Sequence, residues 1–260
     1  MALLEVQDIV IRFGGVVAVG GVSFTVEDGQ ICGLIGPNGA GKTTTFNCIS
    51  GIYRPNEGRI RFAGQDITAA PRHAMVGLGI GRTFQNLALF RSMSVWENVL
   101  TGAHADGRAG FIASALAAPA VRAEARAAEA RARELLTLLD LEKVAGQPVS
   151  ALPFGWQKRV EMARALIARP KLLLLDEPAG GLNHGEVDEL AELLVRIRRE
   201  FALAILLVEH HMSLVMRVSD KVVALDFGRK IAEGTPAEVR ADPEVIRAYL
   251  GDGQGTPHAA

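Results

Sequence analysis

The stretch Gly36-Pro-Asn-Gly-Ala-Gly-Lys-Thr43 decides the fold of this chain, because its spacing of glycine, lysine and threonine is that of a phosphate-binding loop. The glycines let successive backbone N–H groups turn toward phosphate oxygens. Lys42 reaches the terminal phosphates, and the Thr43 hydroxyl is placed to ligate magnesium. The apolar residues 30–35 predict a buried strand before the loop, and a helix is expected to begin near Lys42. Strand, loop and helix in this order predict a nucleoside triphosphate site.

A second element lies well downstream, at Leu172-Leu-Leu-Leu-Asp-Glu-Pro178. The four leucines predict a buried strand, so Asp176 and Glu177 are expected where that strand ends. Asp176 is placed to hold magnesium directly or through water, and Glu177 to polarise the attacking water. The two adjacent carboxylates predict hydrolysis of the nucleotide as well as binding.

Composition and charge narrow the class further. The chain has 260 residues, enough to bury a full core, and its formal net charge of -1 supplies no general basic field, so no nucleic-acid partner is expected. The first residues lack the pattern of a secretory signal, and no apolar stretch reaches the length of a membrane span. Cys32 and Cys48 lie in apolar segments and are expected to be small core side chains. These features favour a soluble or peripheral protein.

The hydrophobic pattern changes along the chain. Alternation of apolar and polar residues over residues 4–26 predicts antiparallel strands, and residues 221–234 predict a hairpin. Residues 121–139 carry an apolar stripe at helical spacing. The continuous apolar runs 172–175 and 204–208 predict parallel strands covered on both faces.

We therefore expect one α/β domain over residues 1–251. Residues 1–83 and 154–251 are assigned to a P-loop NTPase core with an antiparallel β subdomain. Residues 84–153 are assigned to a mainly helical insert, and residues 252–260 to a flexible tail.

With these motifs in place, the chain resembles ATP-binding cassette (ABC) ATPases, and the resemblance runs from about Leu4 to Gly251. It implies the ABC ATPase fold and ATP hydrolysis. Besides the two elements above, the motifs that carry it in the typical order are Arg82-Thr-Phe-Gln-Asn86, Leu152-Pro-Phe-Gly-Trp-Gln-Lys-Arg159, Gly180-Gly-Leu-Asn183 and His210.

The resemblance implies a role for each motif. Phe13 would stack on adenine, Gln85 would sense the γ-phosphate and magnesium, and His210 would contact the γ-phosphate. The catalytic residues implied are Glu177, His210, Gln85 and Lys42. The magnesium ligands implied are Thr43, Gln85 and Asp176. The phosphates of ATP would be held by Gly36, Pro37, Asn38, Gly39, Ala40, Gly41, Lys42, Thr43 and Thr44.

In such proteins two cassettes close head to tail, and each ATP also meets the signature of the partner chain, here implied to be Pro153, Phe154, Gly155 and Trp156. The usual signature, LSGGQ, is altered: Pro153 replaces its serine, Phe154 a glycine and Trp156 the glutamine. The serine hydroxyl is therefore absent. We expect the N-terminus of a following helix, from about Trp156 to Ala168, to bind phosphate through its backbone alone. Asn183, often aspartate in the family, is a milder departure.

Finer features resemble one subfamily, the ATP-binding subunits of bacterial branched-chain amino acid importers. They are Ile11-Arg-Phe-Gly-Gly15, Thr45-Phe-Asn-Cys-Ile-Ser-Gly51, Leu152-Pro-Phe-Gly155 and Val245-Ile-Arg-Ala-Tyr-Leu-Gly251. This likeness implies ATP and Mg²⁺ as cofactors, a second cassette, two separate permease subunits and, indirectly, a periplasmic solute-binding protein. The implied location is the cytoplasmic face of the inner membrane.

Other interpretations remain open at this point. A related motor could serve urea or amide import, or lipid export. From other classes, a soluble ABC ATPase without a transport role would normally carry two cassettes or a long coiled-coil insertion, and the helix over residues 121–139 is too short for that. A regulatory cassette that does not hydrolyse ATP is suggested only by the altered signature.

Overall fold

The computed structural model of the protein describes residues 2–83, 87–103 and 119–250. In these residues two β-sheets are combined with helices around two hydrophobic core clusters. The strands are β1 (Ala2–Phe13), β2 (Val16–Glu27), β3 (Ile31–Ile35), β4 (Glu57–Phe62), β5 (Gln65–Asp66), β6 (Ile80–Arg82), β7 (Leu172–Asp176), β8 (Ala204–Val208), β9 (Lys221–Asp226) and β10 (Arg229–Gly234).

The helices lie between and after these strands. They are α1 (Lys42–Ile49), α2 (Met75–Leu78), α3 (Val95–Thr101), α4 (Pro119–Leu138), α5 (Phe154–Leu166), α6 (His184–Phe201), α7 (Met212–Val218), α8 (Pro236–Ala241) and α9 (Pro243–Leu250), with short 3₁₀ turns at Arg72–Ala74, Glu142–Val144 and Val149–Ala151.

The smaller sheet is antiparallel, with strand order β2-β1-β4-β5. In β1 the side chains of Leu4, Val6, Ile9 and Ile11 are buried. Those of Glu5, Gln7, Val10 and Arg12 are exposed or partly exposed. One face of the sheet is therefore buried and the other faces solvent, as alternation along a strand requires. The antiparallel subdomain expected from the sequence is confirmed.

The larger sheet has the order β10-β9-β3-β8-β7-β6. Its strands run parallel except for β10, which pairs antiparallel with β9. Every residue of β3, β7 and β8 is buried, because helices pack on one face of the sheet and helix α1 with the smaller sheet on the other. The carboxyl ends of these three strands meet at one edge of the sheet, which is where such folds bind ligands.

The helical part between the two halves of the core is formed in the described residues by α3, α4 and two 3₁₀ turns. Helix α3 begins with a capping box, in which Ser94 and Glu97 satisfy each other's backbone N–H groups. The amphipathic helix predicted over residues 121–139 is present as α4, and Glu129 and Arg133 lie 3.8 Å apart on it. The predicted tail, 252–260, lies outside the described residues, and the domain boundaries stay predictions.

Candidate functional site

The phosphate loop connects β3 to α1. Gly36 has a φ of 149°, and a Cβ atom added there would lie 2.2 Å from the Leu225 carbonyl oxygen, so only glycine fits. The buried Lys42 ammonium donates to the carbonyl oxygens of Gly36, at 2.7 Å, and Pro37, at 2.9 Å. Burial lowers the pKa of Lys42 below its ordinary value, and the charges of Glu177 and Asp176 offset only part of this lowering. The loop thus curls around the lysine, and α1 begins at that residue with unpaired N–H groups.

Asp176, at the end of β7, is buried and bonded to a cation that the sequence analysis left without a role. Arg82 of β6 donates to Asp176 over 3.4 Å, to the Asn47 side chain over 2.9 Å, and to the Ser50 hydroxyl. Its guanidinium also lies over the Phe46 ring, 4.6 Å from the centroid. Burial raises the pKa of Asp176, and Arg82 lowers it in part. Arg82 therefore ties this carboxylate to helix α1.

Glu177 and His210 come together across the ends of β7 and β8. The Glu177 backbone has a φ of 47°, a conformation that bulky residues rarely adopt, and its N–H donates to the Val208 carbonyl at 2.9 Å. Its side-chain oxygen lies 3.8 Å from Nδ1 of the half-exposed His210. Unfavourable backbone geometry at a partly buried carboxylate is common where a site fixes a reacting group.

Glu209 is fully buried and was not singled out from the sequence, although it directly precedes His210. Its carboxylate accepts from the backbone N–H groups of Ala179, at 2.7 Å, His210, at 3.0 Å, and His211, at 3.2 Å. The side chains of residues 209–211 lie within 4.8 Å of one another. Both oxygens of Glu209 already accept from the backbone, so the group ties two loops together and does not favour a metal.

The altered signature forms the start of helix α5. Pro153 is the N-cap residue, so the helix begins at Phe154, two residues earlier than predicted. Pro153 has an extended ψ of 154° and lies just outside the helix, and its carbonyl accepts the first hydrogen bonds of the helix, from the Trp156 and Gln157 N–H groups at 3.1 Å each. No side chain caps the helix. Because the Trp156 and Gln157 N–H groups already have this acceptor, the N–H groups of Phe154 and Gly155 are the ones left for a ligand, and no side-chain hydroxyl caps them.

Phe154 fills space next to the following loop. Its ring is 44% exposed, and a Cβ added to Gly181 would lie 3.0 Å from a ring carbon. The buried Lys158 ammonium lies 5.3 Å from the ring centroid and donates to the Glu177 carbonyl over 3.4 Å. Asn183, often aspartate in the family, caps helix α6 together with Glu186. Signature and catalytic loop are thus in contact within one chain.

The predicted adenine ligand, Phe13, belongs to the smaller sheet. Phe13, at the end of β1, is 48% exposed, so it is not a core residue, and its ring meets that of Tyr53 edge-on at 5.2 Å. An exposed aromatic ring is what adenine stacking needs. Gln85 lies outside the described residues. The remaining predicted ligands, Asn38, Gly39, Ala40, Gly41, Thr43 and Thr44, all lie in the loop or at the start of α1.

Comparison with known proteins identifies the class. The family model "ABC transporter" matches residues 19–180, and a model described as "Branched-chain amino acid ATP-binding cassette transporter" matches residues 229–257. The chain therefore belongs to the ABC transporter family, as one of its ATP-binding cassettes. It is an ATPase.

Individual relatives are similar over nearly the whole chain. It is 44% identical to the high-affinity branched-chain amino acid transport ATP-binding protein BraF of Pseudomonas aeruginosa, over 96% of this chain and 98% of that one. It is 42% identical, with the same coverage, to the corresponding protein LivG of Escherichia coli K12. A crystal structure of a nucleotide-free ATP-binding cassette from an ABC transporter superposes with a TM-score of 0.84 at 30% identity, covering 97% of this chain and all of that chain. The predicted family and fold are confirmed.

Among residues 2–83, 87–103 and 119–250, no helix is both long and apolar enough to cross a membrane.

Proposed function

We propose that this ATPase binds ATP at the edge where β3, β7 and β8 end. The observation that carries the proposal is the convergence there of the loop-bound Lys42, the buried Asp176, and Glu177 beside His210. These are a phosphate-binding cation, a ligand for a metal ion, and a base with an orienting partner, which are the parts that phosphoryl transfer to water needs.

Magnesium fits the oxygen ligands present. The Asp176 carboxylate and the exposed Thr43 hydroxyl at the start of α1 are of the hard type that this ion prefers, and Gln85 is proposed as a third ligand. When bound, the ion would offset the charge of the β- and γ-phosphates. Arg82 orients Asp176 from behind, so the carboxylate is held before any ion arrives.

Glu177 is proposed to act as the base. It takes a proton from the attacking water while its backbone is held by Val208. His210 lies close enough to orient that carboxylate and to contact the γ-phosphate. Phe13 is proposed to stack on adenine. In this arrangement the chain's own residues position the water and the phosphates, which is most of what catalysis of this reaction requires.

The second half of the site is proposed to come from another cassette. The start of helix α5, at Pro153 to Trp156, lies on a different part of the chain from the phosphate loop and presents a helix N-terminus to solvent. Such a terminus favours an anion. A dimer in which each α5 start closes over the partner's ATP would use it. Two identical chains, or this chain and a related one, would satisfy that geometry.

We further propose that the cassette drives uptake of branched-chain or related amino acids. The support is the match of residues 229–257 to a model of that description and the names of the relatives above. The chain would then dock on two permease subunits at the cytoplasmic face of the membrane, and a periplasmic binding protein would deliver the solute to those permeases.

Uptake of labelled leucine, isoleucine and valine by cells tests the transport proposal. Cells lacking this protein should lose the high-affinity uptake, wild-type protein should restore it, and the Glu177→Gln variant should not. Tagged protein purified from gently solubilised membranes should carry two permeases. Undiminished uptake of all three amino acids without the protein, or copurification with ribosomal proteins in place of permeases, would contradict it.

A further inference from the structure

The last helix of the described chain contacts the phosphate loop through one hydroxyl group. The backbone N–H of Gly36 donates a hydrogen bond to the Tyr249 hydroxyl oxygen over 2.8 Å, and 213 positions separate these two residues in the sequence. Tyr249 belongs to α9, outside the region that the general ABC transporter model matches but inside residues 229–257. The contact therefore joins the subfamily-specific end of the chain to the loop.

Gly36 is the residue through which this contact can reach ATP. Its carbonyl oxygen is one of the two that hold the Lys42 ammonium. On one side the Leu225 carbonyl leaves no room for a side chain at Gly36. On the other side Tyr249 holds the N–H. A shift of Gly36 would also move its carbonyl oxygen, which accepts the hydrogen bond from Lys42.

Helix α9 is anchored well enough to act as a fixed support. The Asp242 side chain accepts from the N–H groups of Glu244, at 2.8 Å, and Val245, at 3.3 Å, at the start of the helix. Val245 is buried in the main core cluster. The preceding helix α8 begins with a capping box formed by Thr235 and Glu238. Tyr249 therefore projects from an ordered element.

The surroundings agree with a direct link. An open groove separates the outer face of the loop from α9, and its walls include Asn38 and Gly39 on one side and Glu244 and Ala248 on the other. The loop is also tied to the turn between β9 and β10, where the Gly228 N–H donates to the Ala40 carbonyl over 3.1 Å. The Tyr249 hydroxyl adds a bond from α9 to Gly36, so its removal should loosen the first residue of the loop and leave the other tie in place.

We propose that Tyr249 is a positioning residue for ATP binding, and that its hydroxyl couples the C-terminal helix to the phosphate loop. The inference rests on the assignment of the loop made under the proposed function. The contact is made to the loop backbone and not to Glu177, so it should affect the binding of ATP and ADP alike and leave the chemical step unchanged.

The Tyr249→Phe variant tests this, since it removes one oxygen atom and keeps the ring. Loss of one neutral hydrogen bond should raise the Kd of ATP and of ADP about twofold to tenfold. Turnover at saturating ATP should stay within about twofold of wild type, and the melting temperature within about 2 °C, because a single bond at a partly exposed site is lost. Fluorescent-nucleotide titration, phosphate release and thermal melting give the three readouts.

Ile246→Ala is the matched control, because Ile246 is an exposed side chain on the same helix. Its nucleotide Kd should equal that of wild type. A lower melting temperature with unchanged Kd in Tyr249→Phe would indicate a structural role alone and overturn the inference, as would equal shifts in the two variants. The Lys42→Ala variant separates this inference from the loop assignment. If Lys42→Ala binds ATP with the wild-type Kd, the loop assignment is wrong. If Lys42→Ala loses ATP binding but Tyr249→Phe keeps the wild-type Kd, only the proposed coupling is wrong.

Discussion

The phosphate-loop edge of one chain and the start of helix α5 of a second chain are proposed to bind the same ATP. The two regions nevertheless differ in structure. At the edge, Lys42, Asp176 and Glu209 are buried and held by carbonyls, a guanidinium and backbone N–H groups. At the helix start, Pro153 and Phe154 are exposed, and no side chain caps the helix.

The difference shows which half of the site is complete within one chain. Buried, fully bonded polar groups hold their geometry before the ligand arrives, which is what catalysis by positioning requires. A bare helix N-terminus contributes only backbone N–H groups and a partial charge, and these gain value when a second chain brings an anion to them. The first half should therefore respond to mutation as a catalytic unit, and the second as an interface.

Glu177→Gln should have the largest effect, because it removes the proposed base. Phosphate release should fall about 100-fold or more, while the Kd of ATP stays within about twofold. Purified protein with MgATP and a phosphate-release assay measures the rate. Glu200→Gln, an exposed carboxylate at the end of α6, is the control and should leave the rate unchanged. A Glu177→Gln rate above a tenth of wild type would contradict the assignment.

Arg82→Met should come next, since it leaves Asp176 buried without its cation. Loss of hydrogen bonds to a charged, buried group should lower the free energy of unfolding by about 2 kcal/mol or more. Urea denaturation followed by circular dichroism measures it. Arg59→Met, at an exposed position on β4, should change the value by less than about 0.5 kcal/mol. Similar losses in both variants would mean that the Arg82 contacts do not support the catalytic edge.

Glu209→Gln should have a smaller effect that combines stability and rate. The amide group would turn a donor toward backbone N–H groups that now meet an acceptor, at a cost of about 1–2 kcal/mol in unfolding free energy. Because Glu209 holds the His210 backbone, turnover should fall roughly tenfold with little change in the Kd of ATP. Glu233→Gln, which loses bonds to Lys221 and Lys230 instead, should keep normal turnover. Equal turnover in Glu209→Gln and wild type would argue against a link to His210.

Pro153→Ser should have the smallest effect, and it tests the start of helix α5. Pro153 has a ψ of 154°, close to the 164° of Ser94, which caps helix α3 with its hydroxyl. A serine at position 153 should therefore cap α5 and be more stable than Pro153→Ala by about 1 kcal/mol. Chemical denaturation of the two variants provides the comparison. A serine variant no more stable than the alanine variant would show that a hydroxyl there does not reach the backbone.

Much of the phosphate-loop edge could be predicted from the sequence. The phosphate loop, the leucine run of β7 and the pair Asp176 and Glu177 follow from local spacing, because glycine curvature and strand burial are properties of short segments. The parallel sheet then brings the strand ends together without further information. The family resemblance added His210, which no local pattern in this chain distinguishes from its neighbour.

The supports of the site were not predicted. Arg82, Glu209 and Tyr249 reach their partners across long stretches of chain, and nothing near them in sequence marks a buried ion pair or a shared acceptor. Their roles depend on the register of β6 with β7 and on the packing of α9, which are tertiary properties. Phe13 illustrates the reverse, since its alternating pattern is also that of a core residue and only its exposure leaves it free for a ligand.

The proposal that a second chain completes the site can be tested by light scattering of the Glu177→Gln variant with and without MgATP. This variant should retain ATP, so a sandwich that depends on the bare start of α5 should accumulate. We expect a 27.7 kDa monomer without nucleotide and a species of twice that mass with MgATP. A monomer that binds ATP yet never dimerises, with this chain or its related cassette, would contradict it.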